Sequence, residues 1–161
     1  MKRYAVIQYA SPVGLITLAG EGKDLVGLWL EGQKYFGAGL ELSEGGAAPA
    51  LDAARDWLDR YFAGERPAPS ELQLAPVGTA FQRAVWKRLC EIPYGELVTY
   101  GELAKRLQTS PRALGGAVGH NPISIIVPCH RVVGAGGGLT GYAGGVERKR
   151  WLLEHEGVKL I

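Results

Sequence analysis

The chain has 161 residues, of which 47% are hydrophobic, and a formal net charge of +2. A chain of this size can bury a core and suits one domain, or two small domains packed together. Its two cysteines exclude a disulfide scaffold and favour a reducing, intracellular setting.

Charge is distributed unevenly along the chain. Residues 1–78 hold 7 Lys or Arg against 10 Asp or Glu, whereas residues 79–133 hold 7 against 3. The basic middle segment is able to face a polyanion such as nucleic acid, and the acidic first segment as a whole is not. An ordinary mixed surface remains an alternative, because charge alone does not separate the two interpretations.

The first twenty residues have a basic tip but no uninterrupted apolar run, because Gln8, Ser11 and Pro12 break it. They therefore predict neither a secretory signal peptide nor a membrane span. With no targeting signal in view, and assuming a prokaryotic source, we expect a cytoplasmic protein that does not bind membranes.

The first half of the chain predicts a small α/β unit. Residues 4–10 and 15–19 predict a β-hairpin turned by Ser-Pro-Val-Gly, and residues 25–30 predict another short strand. Residues 37–50 are glycine-rich and polar and predict a loop. Apolar residues at helical spacing predict a helix over residues 51–62.

A proline-containing segment separates this unit from the rest of the chain. Residues 65–76 contain three prolines and predict a linker. We therefore expect a first domain over residues 1–75 and a second domain over residues 76–161.

The second half of the chain predicts more helix than strand. Thr79 is the expected N-cap of a helix over residues 80–90, and Thr99 is the expected N-cap of a helix over residues 100–107. After a turn of three residues, Pro111 occupies a first helical position. Two short helices joined by a three-residue turn have the spacing of a helix-turn-helix.

The second helix of that pair has an unusually bare composition, and each glycine inside a helix costs about 1 kcal/mol relative to alanine. Its residues with little or no side chain are Ala113, Gly115, Gly116, Ala117 and Gly119. Small residues permit tight packing against another helix, and they equally permit a backbone to approach a bulky surface such as a duplex groove. Arg112 would be the long side chain at the start of that surface, and composition alone does not decide between the two interpretations.

Residues 124–133, Ser-Ile-Ile-Val-Pro-Cys-His-Arg-Val-Val, predict a buried strand interrupted by reactive groups. Proline lacks the ladder donor, and a strand core has no use for adjacent thiol, imidazole and guanidinium groups. Adjacent strand residues point to opposite faces, so we expect a bend at Pro128 that lets His130 reach Cys129 directly or through one water. A neighbouring base raises the thiolate fraction of a thiol whose free pKa is ~8.5. The alternative is a buried, inert cysteine, which we expect of Cys90.

A glutamate near the C-terminus offers a third partner. Residues 147–156 predict a helix that ends before Gly157, so Glu156 falls in the last turn, where the helix dipole disfavours an anion. A carboxylate placed against that preference is a candidate for orienting His130, which would complete a Cys-His-Glu relay. A solvated surface glutamate is the alternative.

The glycine-rich residues 134–145 contain a G-x-G-x-x-G spacing, which is a weak signal here. The spacing opens no clear helix, and no acid follows about 20 residues later to hold a ribose. A mobile loop that shapes a pocket, with Tyr142 as its aromatic residue, fits better. The histidines lack metal-ligand spacing and two cysteines cannot hold a structural zinc, so we expect neither a metal nor another cofactor.

Five segments over residues 79–157 resemble the O6-alkylguanine-DNA alkyltransferases, or methylated-DNA–protein-cysteine methyltransferases, in family order. They are P-Y-G-E-L-V-T-Y, S-P-R-A-L-G-G-A-V-G-H-N-P, I-V-P-C-H-R-V-V, G-Y-A-G-G and W-L-L-E-H-E-G. The first half is consistent with that family's small α/β domain without being diagnostic. The resemblance implies an α/β N-terminal domain, with a small sheet and a helix, followed by a mostly α C-terminal domain with a winged-helix-like helix-turn-helix.

The same resemblance implies a chemistry. Cys129 would accept, once and irreversibly, the alkyl group of O6-alkylguanine, and also of O4-alkylthymine, in double-stranded DNA. His130 would activate the thiol through a water, Glu156 would orient His130, and Asn121 would support these contacts.

The resemblance further implies how DNA and the damaged base are held by a protein that we expect to be a monomer. Arg112 would enter the duplex and fill the space of the extruded nucleotide. Tyr100 would line the pocket and push the 3′ phosphate to rotate the nucleotide out. Ala113, Gly115, Gly116 and Ala117 would lie against the DNA. The Val132 carbonyl would accept from the guanine amine, and the loop Tyr142, Ala143 and Gly144 would close over the base. Some family members have serine in place of Ala143, so any bond to O6 there must come from backbone N–H.

Two other classes of protein remain as alternatives. One is a lesion sensor that shares the scaffold but lacks the acceptor cysteine, and the presence of Cys129 argues against it. The other is a sequence-specific helix-turn-helix regulator whose cysteine is incidental.

Overall fold

The computed structural model describes residues 3–44, 46–139 and 141–160. Gly45 in the predicted polar loop and Thr140 in the predicted glycine-rich loop lie outside the described residues. No helix in the described part of the chain is long and apolar enough to cross a membrane.

The first half of the described chain forms a five-stranded sheet with a helix packed against it. Its elements are β1 (Arg3–Ser11), β2 (Gly14–Glu21), β3 (Asp24–Leu30), β4 (Glu41–Glu44), α1 (Pro49–Phe62) and β5 (Gln73–Leu74). The sheet order is β4-β1-β2-β3-β5, and β1, β2 and β3 form an antiparallel meander. The predicted hairpin, third strand and helix are thereby confirmed.

Two segments of the first half differ from the prediction. The predicted loop over residues 37–50 contains β4, which pairs parallel with β1, and the predicted linker over residues 65–76 contains β5, which pairs parallel with β3. Both are short edge strands of four and two residues. A strand this short is held by backbone hydrogen bonds to its neighbour, so its side chains need not alternate between apolar and polar. The glycine and proline content of these segments therefore predicts a loop and a linker instead.

The second half of the chain is mostly helical. Its elements are α2 (Ala80–Leu89), β6 (Val98–Thr99), α3 (Tyr100–Arg106), α4 (Pro111–Gly119), β7 (Val132–Val133) and α5 (Val146–His155). The predicted caps are confirmed, since the Thr79 hydroxyl accepts from the Gln82 N–H and the Thr99 hydroxyl from the Glu102 N–H. Pro111 is the first residue of α4, as predicted.

The predicted strand over residues 124–133 is wrong except at its end. Only Val132–Val133 is a strand, and residues 124–127 form a turn in which Ile125 has a φ of 70°. The left-handed region is unfavourable for a β-branched residue, so this turn is held by its surroundings rather than by its own preference. The high apolar and β-branched content reflects complete burial of the turn and not strand structure.

The edge of β3 holds this turn in place. The Leu28 N–H donates to the Pro122 carbonyl at 2.8 Å, and the Ser124 N–H donates to the Leu28 carbonyl at 3.0 Å. A continuous apolar cluster also spans both halves, from Ile16 and Trp57 to Leu152. The first half is therefore part of the support for the chemistry in the second half.

A hydrogen bond from the Trp86 indole N–H to the Ala117 carbonyl, 2.8 Å long and buried, joins α2 to α4. Trp29 is also buried, but its indole N–H has no partner among the described residues. We expect Trp86→Phe to lower the free energy of unfolding by about 1 kcal/mol more than Trp29→Phe, because only the former removes a buried hydrogen bond. Denaturant unfolding of both variants measures the difference. Equal losses would show that this hydrogen bond does not anchor α4.

Candidate active site

Cys129, His130 and Arg131 form a single 3-10 turn between the residue 124–127 turn and β7. All three side chains are buried. A 3-10 turn places successive side chains about a third of a turn apart, so neighbours in sequence need not point to opposite faces as they do in a strand. This turn, and not a bend within a strand, brings the reactive groups together.

Asn121 fixes the segment that leads to Cys129. Its amide N–H donates to the Val127 carbonyl at 2.9 Å, and its amide oxygen accepts from the Ile123 N–H at 3.0 Å. The amide also hydrogen-bonds the Cys129 thiol. Asn121 therefore acts on the thiol both through its position and through a direct contact.

Burial raises the pKa of the Cys129 thiol, while the hydrogen bond from Asn121 and the positive charge of Lys149 act in the opposite direction. With the net shift upward, the resting form at neutral pH is the thiol. Burial likewise raises the pKa of the Cys90 thiol to about 11, so Cys90 is not activated either. Cys129 needs a base to become a nucleophile.

The Glu156 carboxylate is the shared acceptor of the buried polar contacts next to the Cys129 turn. From the described residues it accepts five hydrogen bonds. Oε2 accepts from His130 Nε2 at 2.6 Å, the Tyr61 hydroxyl at 2.7 Å and Arg131 Nη2 at 3.2 Å. Oε1 accepts from Arg131 Nε at 2.8 Å and the Gly95 N–H at 3.0 Å. The carboxylate lies at the C-terminal end of α5 because these donors compensate for the unfavourable dipole there.

The protonation states follow from these contacts. Burial alone would raise the pKa of Glu156, but hydrogen bonds and charges from His130 and Arg131 hold it well below its usual range. Burial lowers the pKa of His130 in spite of the opposing effect of Glu156. At neutral pH the centre therefore contains an ionised Glu156, its counterion Arg131 and a neutral His130.

Because a carboxylate only accepts, His130 donates from Nε2 and leaves Nδ1 without a proton. Nδ1 is buried and has no hydrogen-bond partner among the described residues. This is the protonation state that a base next to a thiol requires.

Around Cys129, Tyr100 and Lys149 form a further side of the site. The Lys149 ammonium donates to the Val132 carbonyl at 2.6 Å and lies 5.8 Å from the centre of the Tyr100 ring. Burial lowers the pKa of Lys149 to about 8 and raises that of Tyr100 to about 12. Lys149 already donates to the Val132 carbonyl. If that carbonyl also accepts from the exocyclic amine of a guanine, as the sequence resemblance implies, the amine would have to use the second lone pair of the oxygen.

The predicted pocket loop lies beside an open cavity of about 320 Å³ between α4 and residues 141–146. Tyr142 and Gly144 are buried, and Ala143 is half-buried. The Ala143 carbonyl accepts from the Lys34 N–H of the first half at 3.1 Å. The loop is thus tied to the first half of the chain at its middle residue.

Helix α4 presents a bare surface to solvent at its glycines. A Cβ added to Gly115, Gly116 or Gly119 would meet no described heavy atom within 4 Å. These glycines are therefore not needed for packing inside the protein, which favours the open-surface interpretation over helix packing. Arg112 and Ala113 at the start of α4 are exposed.

Ala117 does not share in that surface. Its side chain is only 3% exposed, and its carbonyl accepts from Trp86. The expectation that Ala117 lies against DNA stays a prediction, and its buried side chain would take little part in such a contact.

Sequence reasoning missed Arg131, Tyr61, Gly95 and Lys149. The sequence could have indicated the contact of Arg131 with Glu156. A cation inside a buried segment needs a counterion, and Glu156 is an anion at the unfavourable end of its helix. Tyr61 carried none. It is 95 residues from Glu156 in sequence and lies in the other half of the chain.

Two family models match the chain. The description of one is 6-O-methylguanine DNA methyltransferase, ribonuclease-like domain, over residues 3–76, and that of the other is 6-O-methylguanine DNA methyltransferase, DNA binding domain, over residues 80–158. Together they cover most of the sequence.

Curated relatives and solved structures agree with these models. Proteins named methylated-DNA–protein-cysteine methyltransferase from Haemophilus influenzae and Mycobacterium bovis are 44% and 50% identical, and the matches cover 95% and 91% of this chain and 86% and 88% of those proteins. A Mycobacterium tuberculosis OGT structure in complex with DNA is similar with a TM-score of 0.81 and 47% identity, covering 96% of this chain and 92% of that one. A Pyrococcus kodakaraensis O6-methylguanine-DNA methyltransferase is similar with a TM-score of 0.72 and 28% identity, covering 96% and 99%.

We expect Glu156→Gln to slow reaction at Cys129 and to lower the free energy of unfolding by about 3–5 kcal/mol, because it leaves Arg131 buried without a counterion. Since folding depresses the Glu156 pKa, the wild-type advantage is fully present above the unfolded glutamate pKa of about 4.3 and is lost as the pH falls below it. The free energy of unfolding and the rate of thiol alkylation, both measured from pH 3 to 8, test this prediction. The control is Glu154→Gln, which alters an exposed carboxylate on the same helix. Equal behaviour of the two variants would contradict the central position of Glu156.

Proposed function

Because the chain belongs to the methylated-DNA–protein-cysteine methyltransferase family, we propose that it repairs alkylated DNA with Cys129 as the acceptor. It is a DNA-repair enzyme that transfers the methyl group of O6-methylguanine to a cysteine, and DNA is its partner. One observation carries the assignment of Cys129. A buried thiol directly precedes a neutral histidine whose Nε2 is held by an ionised glutamate.

The transfer is a displacement at carbon. The Cys129 proton passes towards His130 Nδ1 through a bridging water, which forms the thiolate. The sulfur then attacks the alkyl carbon in line, the carbon–O6 bond breaks, and its electron pair leaves with the guanine. The proton held at His130 returns to the departing base. Glu156 does not touch the substrate, and it positions His130 and stabilises the ring while the ring carries the proton.

The product is an S-alkyl cysteine. A cysteine hydrolase regenerates its thiol because water attacks the carbonyl of a thioester, and a thioether has no such carbonyl. Each molecule therefore reacts once. The same displacement suits O4-alkylthymine, whose alkyl carbon is also bonded to an exocyclic oxygen.

The buried position of Cys129 requires the damaged nucleotide to leave the base stack, at a cost of a few kcal/mol. Helices α3 and α4 serve as a helix-turn-helix, and the open glycine surface of α4 approaches the DNA backbone. Exposed Arg112 fills the space left in the duplex. Tyr100, at the start of α3 and next to Gly141 of the pocket loop, pushes the 3′ phosphate and so rotates the nucleotide out.

The flipped base occupies the space beside Val132 and the loop formed by Tyr142, Ala143 and Gly144. The half-buried Ala143 offers no side-chain donor, so backbone N–H groups of this loop contact O6. The Lys149 ammonium on the Val132 carbonyl makes that carbonyl a shared acceptor for the base amine.

The two domains meet near residue 76, with the first over residues 1–75 and the second over residues 76–161. The family-model limits at residues 76 and 80 support this division, as does the pairing of β5 with β3. We further propose that the protein acts as a monomer, because every group in the mechanism comes from one chain.

The alternatives give different outcomes. A lesion sensor would bind alkylated DNA without accepting the alkyl group, and a sequence-specific regulator would prefer one short sequence. The presence of Cys129 next to His130 disfavours the lesion sensor. The surface of α4 is formed by glycines rather than by polar side chains, which disfavours the sequence-specific regulator, because reading a DNA sequence needs side-chain donors and acceptors.

We expect one mole of alkyl group to be transferred per mole of protein. The test incubates the protein with duplex DNA carrying radiolabelled O6-methylguanine and locates the label by mass spectrometry. The label should lie on the peptide containing Cys129 and not on Cys90, and Cys129→Ala should bind the DNA and accept nothing. More than one lesion repaired per molecule, or label on another residue, would overturn the mechanism.

We expect Arg112→Ala to slow repair of duplex DNA at least about tenfold while leaving reaction with free O6-benzylguanine within about twofold, because only the duplex substrate requires flipping. Arg83→Ala removes the same charge from an exposed position on α2 and is the matched control. Single-turnover rates on both substrates measure the effect. Equal loss on duplex and free base would remove the assigned role of Arg112.

A further inference from the structure

Tyr61 belongs to the last turn of α1, in the first half of the chain, yet its hydroxyl reaches the carboxylate that positions His130. The hydroxyl donates to Glu156 Oε2 at 2.7 Å, and His130 Nε2 contacts the same oxygen at 2.6 Å. Donors on one carboxylate oxygen share its lone-pair density. Each therefore affects how strongly the oxygen holds the other.

The Tyr61 ring is held rigidly. It stacks on Trp57 with ring centres 5.5 Å apart and meets Tyr94 edge-on at 6.1 Å. Its main-chain carbonyl accepts from His155 Nε2 at 2.7 Å. Side chain and backbone of Tyr61 are thus both fixed to the end of α5, so the hydroxyl has little freedom to leave Glu156.

Burial and the charge of Glu156 raise the pKa of Tyr61 far above its usual value, so the hydroxyl stays protonated and donates throughout the working pH range. Among the described residues, the other titratable or charged groups around this centre include Arg131 and Cys129 on the 3-10 turn, Tyr94 before α3, Tyr142 on the pocket loop, and Lys149 and His155 on α5. Of these groups, Arg131 also donates to Glu156 Oε2, through Nη2, but at the longer distance of 3.2 Å.

We infer that Tyr61 is a positioning residue for the relay, through which the first domain sets the proton affinity of His130. The hydroxyl dipole directs its positive end at Oε2 and makes the carboxylate a weaker acceptor. Without it, the more negative oxygen would stabilise the imidazolium form of His130. A protonated His130 cannot take the proton of Cys129, so loss of the hydroxyl should move the onset of thiol reactivity to higher pH.

This inference rests on the proposed function for its meaning, but its test does not depend on DNA. The variant is Tyr61→Phe in the full chain, which removes one oxygen and keeps the ring. The matched control is Tyr94→Phe, since the Tyr94 hydroxyl contacts the His155 carbonyl at 3.4 Å and not Glu156. Two reagents are used from pH 5 to 9, free O6-benzylguanine and iodoacetamide, with modification of the Cys129 peptide followed by mass spectrometry.

For Tyr61→Phe we expect the acid limb of both pH profiles to move upward by about 0.5–1 pH unit, with a loss of about threefold to tenfold in rate at pH 6.5. Tyr94→Phe should overlay the wild-type profiles. A Tyr61→Phe profile that keeps the wild-type midpoint, whether at full rate or uniformly reduced, would overturn the inference, because a purely structural role lowers the rate without moving the midpoint.

The iodoacetamide series separates the two claims. If O6-benzylguanine fails to alkylate wild-type Cys129, the proposed function fails, while the iodoacetamide profiles still report on Tyr61. If wild type reacts with both reagents and Tyr61→Phe reacts identically, only the inference about Tyr61 fails. Thermal unfolding of each variant confirms that the compared proteins are folded.

Discussion

The buried Glu156 carboxylate is the constraint on which the rest of the site depends. An ionised carboxylate inside a protein is costly unless donors surround it, and here the donors come from α1, from the turn before α3 and from the 3-10 turn that carries Cys129. Satisfying one charge therefore fixes the relative position of three distant segments. The same contacts fix which nitrogen of His130 carries the proton, while burial keeps the ring neutral, so the support of the fold also orients the base proposed for the thiol.

The location of this charge explains why residues 124–133 are not a strand. A ladder would have turned Cys129 and His130 to opposite faces, whereas the turn with Ile125 at positive φ, clamped by Asn121 and by the edge of β3, delivers both to the interior. The unfavourable conformational free energy of that strained turn is offset by packing in the apolar cluster in which the turn is completely buried. The first half of the chain is therefore more than a cover, because β3 supports the turn and α1 supplies a donor to the centre.

The sequence predicted this molecule well where the signal was local. The caps at Thr79 and Thr99 depend on residues within one turn, and they were identified correctly. Misplacement of Glu156 relative to its helix dipole was also a local signal, and it correctly indicated a buried partner. What sequence could not supply was contact across the fold. The edge strands β4 and β5 and the Tyr61 hydroxyl owe their positions to segments far away in sequence, and no residue spacing records them.

The claim that Glu156 fixes the tautomer of a neutral His130 can be tested without any substrate. In protein with ¹⁵N-labelled histidine at pH 7, the nitrogen chemical shifts of His130 distinguish its two neutral tautomers from the imidazolium. The structure predicts a neutral ring with the proton on Nε2, facing Glu156, and an unprotonated Nδ1. A ring protonated on Nδ1, or on both nitrogens, would contradict the relay at its central step.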